Sequence, residues 1–270
     1  MNFTERLQHI QSQQRSLLCI GLDTDEAKLP PHLRSEKNPV LEFNKRIIEA
    51  THDLACAYKP NLAFYEAMGE RGIAALHETV TCIPKSVVTI GDAKRGDIGN
   101  TAERYARSLF DDFGFDAITV NPYMGFDSVE PFIINPEQGV FLLALTSNPG
   151  SKDFQRLKIG TKPLYEKVVR TAKKWNTQHN IGLVVGATHP SELKSIRIIV
   201  PDMPILIPGV GKQGGDLKSA ITFGNNKQGR LAVINASRSI LYASSGKDFA
   251  EAARAEALKM VEEMRQFGKW

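Results

Sequence analysis

The run SVVTIGDAK at residues 86–94 is apolar until its last residues and then places Asp92, Lys94, Arg95 and Asp97 within six positions. Its body reads as a buried strand, and a buried strand that ends in both charge signs is either a solvated edge or the wall of a site. Seven further runs have the same form: SLLCIGLD (16–23), ACAYKPN (55–61), FDAITVNPY (115–123), VFLLALTSN (140–148), IGLVVGAT (181–188), PILIPGVG (204–211) and LAVINASR (231–238). They are near-continuous apolar stretches rather than alternating ones, the pattern of parallel strands covered on both faces.

Amphipathic segments separate these runs, among them PVLEFNKRIIEATHDL, AFYEAMGERGIAALHETV, NTAERYARSLFDDF, KPLYEKVVRTAKKWNTQ and GKDFAEAARAEALKMVEEMRQF. Asn100 or Thr101 followed by Glu103 predicts a capped helix start. Eight strand–helix units in this length predict an α/β fold, a (β/α)8 TIM barrel in one domain over residues 1–270, with a short N-terminal helix. A doubly wound open sheet fits less well, because the first strand runs into GLDTDEAKLPP and lacks a glycine-rich fingerprint. No linker divides the chain, and LTSNPGSKDFQRLKIGTKP reads as a long loop.

The 34 basic and 30 acidic residues leave a net charge of +4. So small and dispersed an excess predicts no nucleic-acid face and at most a mild preference for an anionic ligand. Cys19, Cys56 and Cys82 are scattered and odd in number, which predicts core thiols in a reducing compartment. The polar N-terminus lacks the apolar stretch of a signal peptide, and no run approaches the ~18 apolar residues of a membrane span. The expectation is a cytoplasmic protein with no membrane association.

Chemistry on such a barrel sits at the C-terminal ends of the strands. Those ends are polar throughout: Asp23, Lys59, Asp92 and Lys94, Asn121, Thr146 to Asn148, Thr188 and His189, PGVGKQGGD, and Asn235, Ser237 and Arg238. Two-residue periodicity predicts that Asp92 and Lys94 share a face, with Asp97 close by and Lys59 reaching Asp92 from the next strand. An alternating chain of charges is tolerated when partly buried, and it keeps Lys94 protonated as a potential acid. Glycines of GVGKQGGD and the planar donor Arg238 predict a phosphate site after the seventh and eighth strands. No H-E-x-x-H, Cys/His cluster, EF-hand loop or G-x-S-x-G occurs, so no metal site and no serine hydrolase are indicated. His9, His32, His52, His77 and His179 read as surface residues; His189 suits a turn as readily as catalysis.

Taken together, IGLD, YKPNLAFYE, DAKRGDIGNTA, TSNPG, VVGAT, PGVGKQGGD and NASRSI run almost end to end. On them the chain resembles the orotidine 5′-phosphate decarboxylases, in their longer bacterial (type 2) subgroup. The resemblance implies a cofactor-free barrel dimer that converts orotidine 5′-monophosphate to uridine 5′-monophosphate and CO2, the last step of pyrimidine synthesis. It implies Lys59, Asp92, Lys94 and Asp97 as the charge network. Asp97 and Thr101 would enter the partner's site. Asp23 and Lys59 would hold the ribose and Ser147 the pyrimidine; Gln213 would bridge base and phosphate, and Gly211 and Arg238 would bind the phosphate. Where the shorter subgroup has proline after the motif's isoleucine, this chain has Gly99. Three rivals remain at this level: a phosphosugar enzyme holding Mg2+ on the D-x-K-x-x-D carboxylates, a Schiff-base enzyme using Lys94 or Lys59, and a non-catalytic nucleotide-binding barrel.

Overall fold

A computed structural model describes residues 1–210 and 216–270. Eight parallel strands close on themselves in chain order: β1 (Leu18–Gly21), β2 (Ala57–Lys59), β3 (Val88–Arg95), β4 (Ala117–Val120), β5 (Gly139–Leu145), β6 (Ile181–Val185), β7 (Ile205–Pro208) and β8 (Ala232–Ala236). Each falls on one of the eight predicted runs, with β3 ending one residue after its run and β5 starting one residue before. The seam joins the first strand to the last, with Leu18, Cys19 and Ile20 opposite Ile234, Asn235 and Ala236. The long loop after β5 carries a two-stranded hairpin, Lys158–Ile159 with Lys162–Pro163.

Side chains facing inward from the strands fill the barrel, among them Cys19, Ala57, Ile90, Ala117, Phe141, Leu206 and Val233. The outward faces pack beneath the helix ring in a second, larger cluster. This is why the runs read as continuously apolar: both strand faces are dry. The floor is sealed by the N-terminal helix Phe3–Gln14, which starts at a capping box between Asn2 and Glu5 and inserts Phe3, Leu7 and Ile10. Phe3 meets Phe141 edge-to-face at 5.9 Å between centroids. A Cβ on Gly139 would lie 2.5 Å from the Phe3 ring, so the close approach requires glycine there. Gln11 is fully buried, accepts from Leu231 N (2.9 Å) and donates to Ala232 O (2.7 Å), which fastens the helix to the last strand.

Two helix expectations need correction. The segment predicted as one helix over residues 63–80 is two, Leu62–Glu66 and Glu70–Cys82, broken at Gly69 with φ +64°. The helix after β3 starts at least two residues earlier than the capping signal suggested, at Gly99, behind Ile98, with no side-chain cap. Gly99 opens it at φ +52°, a conformation closed to proline, whose ring holds φ near −65°. That accounts physically for glycine at this position.

Cys19 and Cys56 are buried and Cys82 is half-buried, and burial pushes the Cys56 thiol up to about 12. Four of the five histidines read as surface residues are exposed. His32 is half-buried against Phe249, because the loop carrying it packs under the C-terminal helix Phe249–Phe267. Among the described residues no helix is long and apolar enough to cross a membrane.

Candidate active site

At the C-terminal mouth of the barrel, Asp23, Lys59, Asn61, Asp92, Val210 and Arg238 line a polar cavity of about 160 Å3, together with other residues at and just past the ends of β7 and β8. Lys59 is 4% exposed and sits between two carboxylates, 2.9 Å from Asp92 Oδ2 and 3.9 Å from Asp23 Oδ1. Lys94 Nζ approaches the other Asp92 oxygen at 2.7 Å. Asp92 is thus held between two ammonium ions. Burial alone would raise its pKa, but Lys59 and Lys94 outweigh burial and hold the carboxyl well below the usual carboxylate range. Burial likewise works to lower Lys59, yet Asp92 and Asp23 reverse the direction and raise it. Both groups are ions at neutral pH.

Asp92 and Lys94 do meet, but not through strand periodicity. Between the pairs Gly91–Ile118 and Arg95–Val120, β3 advances four residues while β4 advances two. Asp92, Ala93 and Lys94 therefore share the space opposite Thr119. Lys94 adopts φ +48°, a left-handed conformation that costs a side-chain-bearing residue about 1–3 kcal/mol and is found where surrounding contacts enforce it. Here Lys94 N donates to Thr119 Oγ1 and Thr119 Oγ1 donates to Asp92 Oδ1, each at 2.9 Å. The pairing comes from a bulge, not from a regular strand.

Asp23 accepts from Ser237 Oγ (2.7 Å) through Oδ2; its buried Oδ1 accepts no hydrogen bond among the described residues. Arg238 follows β8 and forms part of the cavity wall. Asp97 accepts from its own neighbour Ile98 N (2.9 Å) and makes no ion pair, with Lys94 or any other group, among the described residues. Thr101 is exposed on the first turn of the following helix. Ser147 is half-buried at the end of β5 and does not line the cavity. Gly211 and Gln213 lie outside the described residues. No group of three His, Cys, Asp or Glu suited to a metal occurs among the described residues.

The chain matches the family described as "Orotidine 5′-phosphate decarboxylase / HUMPS family" over residues 16–255. It is 51% identical to an orotidine 5′-phosphate decarboxylase of Dehalococcoides mccartyi, over 100% of this chain and 99% of that one. The chain belongs to this family. An orotidine 5′-phosphate decarboxylase of Christiangramia forsetii is 52% identical, with 93% of each chain covered. The structure of the Leishmania donovani OMP decarboxylase superposes with a TM-score of 0.86 at 39% identity, covering 99% of this chain and 98% of that one.

Two members of this decarboxylase-family site escaped the sequence reading. Asn61, just past β2, lines the cavity, and its backbone bridges to Asp92; its signal, an asparagine two residues after Lys59, was present but unremarkable. Thr119 had no signal, because a threonine inside an apolar strand reads as filling. His189 proves to be a tie: it accepts from Arg156 at Nδ1 (3.1 Å) and donates from Nε2 to Thr146 O (3.3 Å). Gln155 grips the same strand end, accepting from Thr146 N (2.7 Å) and donating to Thr146 Oγ1 (2.9 Å). The loop after β5 is thereby fixed beside Ser147.

Proposed function

We propose that this chain decarboxylates orotidine 5′-monophosphate to uridine 5′-monophosphate and CO2 without a cofactor, as a cytoplasmic homodimer with shared sites. The observation that carries this reading is the Asp92 carboxylate, ionised and clamped between Lys59 and Lys94 at the mouth of the barrel. Asp23 Oδ1 and Lys59 offer an acceptor and a donor to ribose hydroxyls. Arg238 takes the 5′-phosphate with the backbone at Gly211, Ser147 holds the pyrimidine, and Gln213 bridges base and phosphate. Binding energy from these remote groups presses the substrate carboxylate towards Asp92, an unfavourable pairing that loss of CO2 relieves. The C6–carboxylate bond breaks and its electron pair stays on C6, where the Lys94 ammonium stabilises it. A proton then passes from Lys94 Nζ to C6, and Lys94 regains one from solvent.

The deciding experiment follows the loss of orotidine monophosphate absorbance with and without EDTA. Turnover indifferent to chelator supports this reading. Folded protein without turnover overturns it, and turnover that EDTA abolishes points to a metal on the carboxylates instead.

The dimer reading rests on the mouth's exposed apolar rim: Ile98 is 53% exposed, Tyr123 80% and Phe154 64%, beside an Asp97 that has no ion pair among the described residues. A second copy covering this rim would bring its Asp97 and Thr101 to the neighbour's Lys94. Mixed after dissociation, inactive Lys94→Ala and Asp97→Ala proteins should then regain activity, since one site of each mixed dimer draws both residues intact; at equal mixing this is about a quarter of all sites. No recovery would place Asp97 within its own chain's site.

A further inference from the structure

Thr119 stands where the hydrogen-bond ladder between β3 and β4 is interrupted. In register, the chain from Gly91 to Arg95 faces only Ile118 to Val120, so the Lys94 N–H has no carbonyl opposite it on β4. The Thr119 hydroxyl takes that place. It accepts from Lys94 N at 2.9 Å and gives its single proton to Asp92 Oδ1 at 2.9 Å. Lys94 Nζ returns to the same Asp92 oxygen at 2.7 Å. A closed ring results, running from the Lys94 backbone through the Thr119 hydroxyl and the Asp92 carboxylate to the Lys94 side chain. The threonine is 1% exposed, so water cannot readily substitute for it. Its neighbours along the inner barrel wall, Ala117 and Phe141, are apolar and offer no alternative acceptor.

We infer that Thr119 is a positioning residue for the decarboxylation: one hydroxyl both locks the left-handed backbone of Lys94 and orients the Asp92 carboxylate. This rests on the function proposed above. Without the hydroxyl, Lys94 N–H loses its acceptor, the constraint behind φ +48° disappears, and the backbone is free to relax. Relaxation would carry Nζ away from the place where it meets the reacting carbon. Groups that bind ribose and phosphate lie on other strands and would be left in place. The inference therefore predicts damage to the chemical step with little damage to binding.

The test compares Thr119→Val, which keeps the branched shape but deletes the hydroxyl, with Thr119→Ser, which keeps the hydroxyl. Misplacement of a catalytic group by about 1 Å costs on the order of 100-fold, so Thr119→Val should lower kcat about 10- to 100-fold. Its KM, and its Kd for uridine monophosphate measured by calorimetry, should stay within about threefold, because ground-state binding is untouched. Thr119→Ser should restore kcat to within a few-fold of wild type. Thr119→Ala serves the same comparison if the valine protein does not fold. Wild-type kcat in Thr119→Val would overturn the inference and leave the decarboxylase reading standing. So would a loss of kcat that serine does not rescue, or one matched by equal losses in product binding and thermal stability, for the residue would then be a packing element alone. Absence of turnover in the wild-type chain would overturn the decarboxylase reading, and this inference with it.

Discussion

Lys94→Ala is expected to lower turnover by about 10^4-fold or more, the upper end of what a positioned acid contributes, while uridine monophosphate still binds. The variant removes the proton donor and the ammonium that would stabilise charge at C6, but it leaves Asp23, Lys59 and Arg238 in the cavity wall. Lys59 alone continues to neutralise Asp92 at 2.9 Å. Single-turnover decay of substrate absorbance, run beside calorimetry with the product, separates the two effects. Parallel loss of turnover and product binding would assign Lys94 to binding or to the fold rather than to chemistry.

Lys59→Ala carries the largest expected effect on stability. It removes the buried ion between Asp92 and Asp23. Breaking a buried pair costs about 3–5 kcal/mol; Lys94 still faces Asp92, so about 3 kcal/mol is expected here. The sign with pH follows from the two shifts. The Asp92 pKa is depressed in the fold, so its contribution is present above the unfolded value of roughly 3.9 and fades as pH falls through the folded one. The Lys59 pKa is raised, so its contribution is full below the unfolded value of roughly 10.4 and is lost above it. The gap between wild type and variant should be widest between about pH 4 and pH 10 and narrow on either side. Urea titrations across pH measure it, and a gap independent of pH would mean that lost packing, not lost charge, governs the effect.

The barrel was legible in the sequence because burial on both faces leaves each strand a short apolar word with a polar ending. The same regularity placed Asp23, Lys59, Asp92 and Arg238 around one cavity from their positions alone. What escaped notice depends on departures from regularity. Periodicity put Lys94 beside Asp92 for the wrong reason, since a two-residue excess in β3 and a left-handed Lys94 bring the charges together. No local pattern distinguishes Thr119 from a core threonine; its role exists only once β4 lies beside the bulge. Asp97 was read from spacing as a second carboxylate close to Lys94, whereas the hydrogen bond it makes within the chain is to the Ile98 backbone. The Gly99–Arg107 helix was misjudged at its start because a cap was sought where a glycine with positive φ begins the turn.

The seam between β1 and β8 has a consequence for how the protein comes into being. Asp23 leans on Ser237, Leu18 pairs with Ile234, and Gln11 reaches Leu231 and Ala232. These contacts join the first tenth of the chain to its last fifth. A ribosome therefore releases the wall carrying Arg238 long after the wall carrying Asp23, and the cavity cannot exist in any nascent chain that lacks the eighth strand. Closing the barrel is therefore what completes the site, since Arg238 joins Asp23, Lys59 and Asp92 only when the eighth strand pairs with the first.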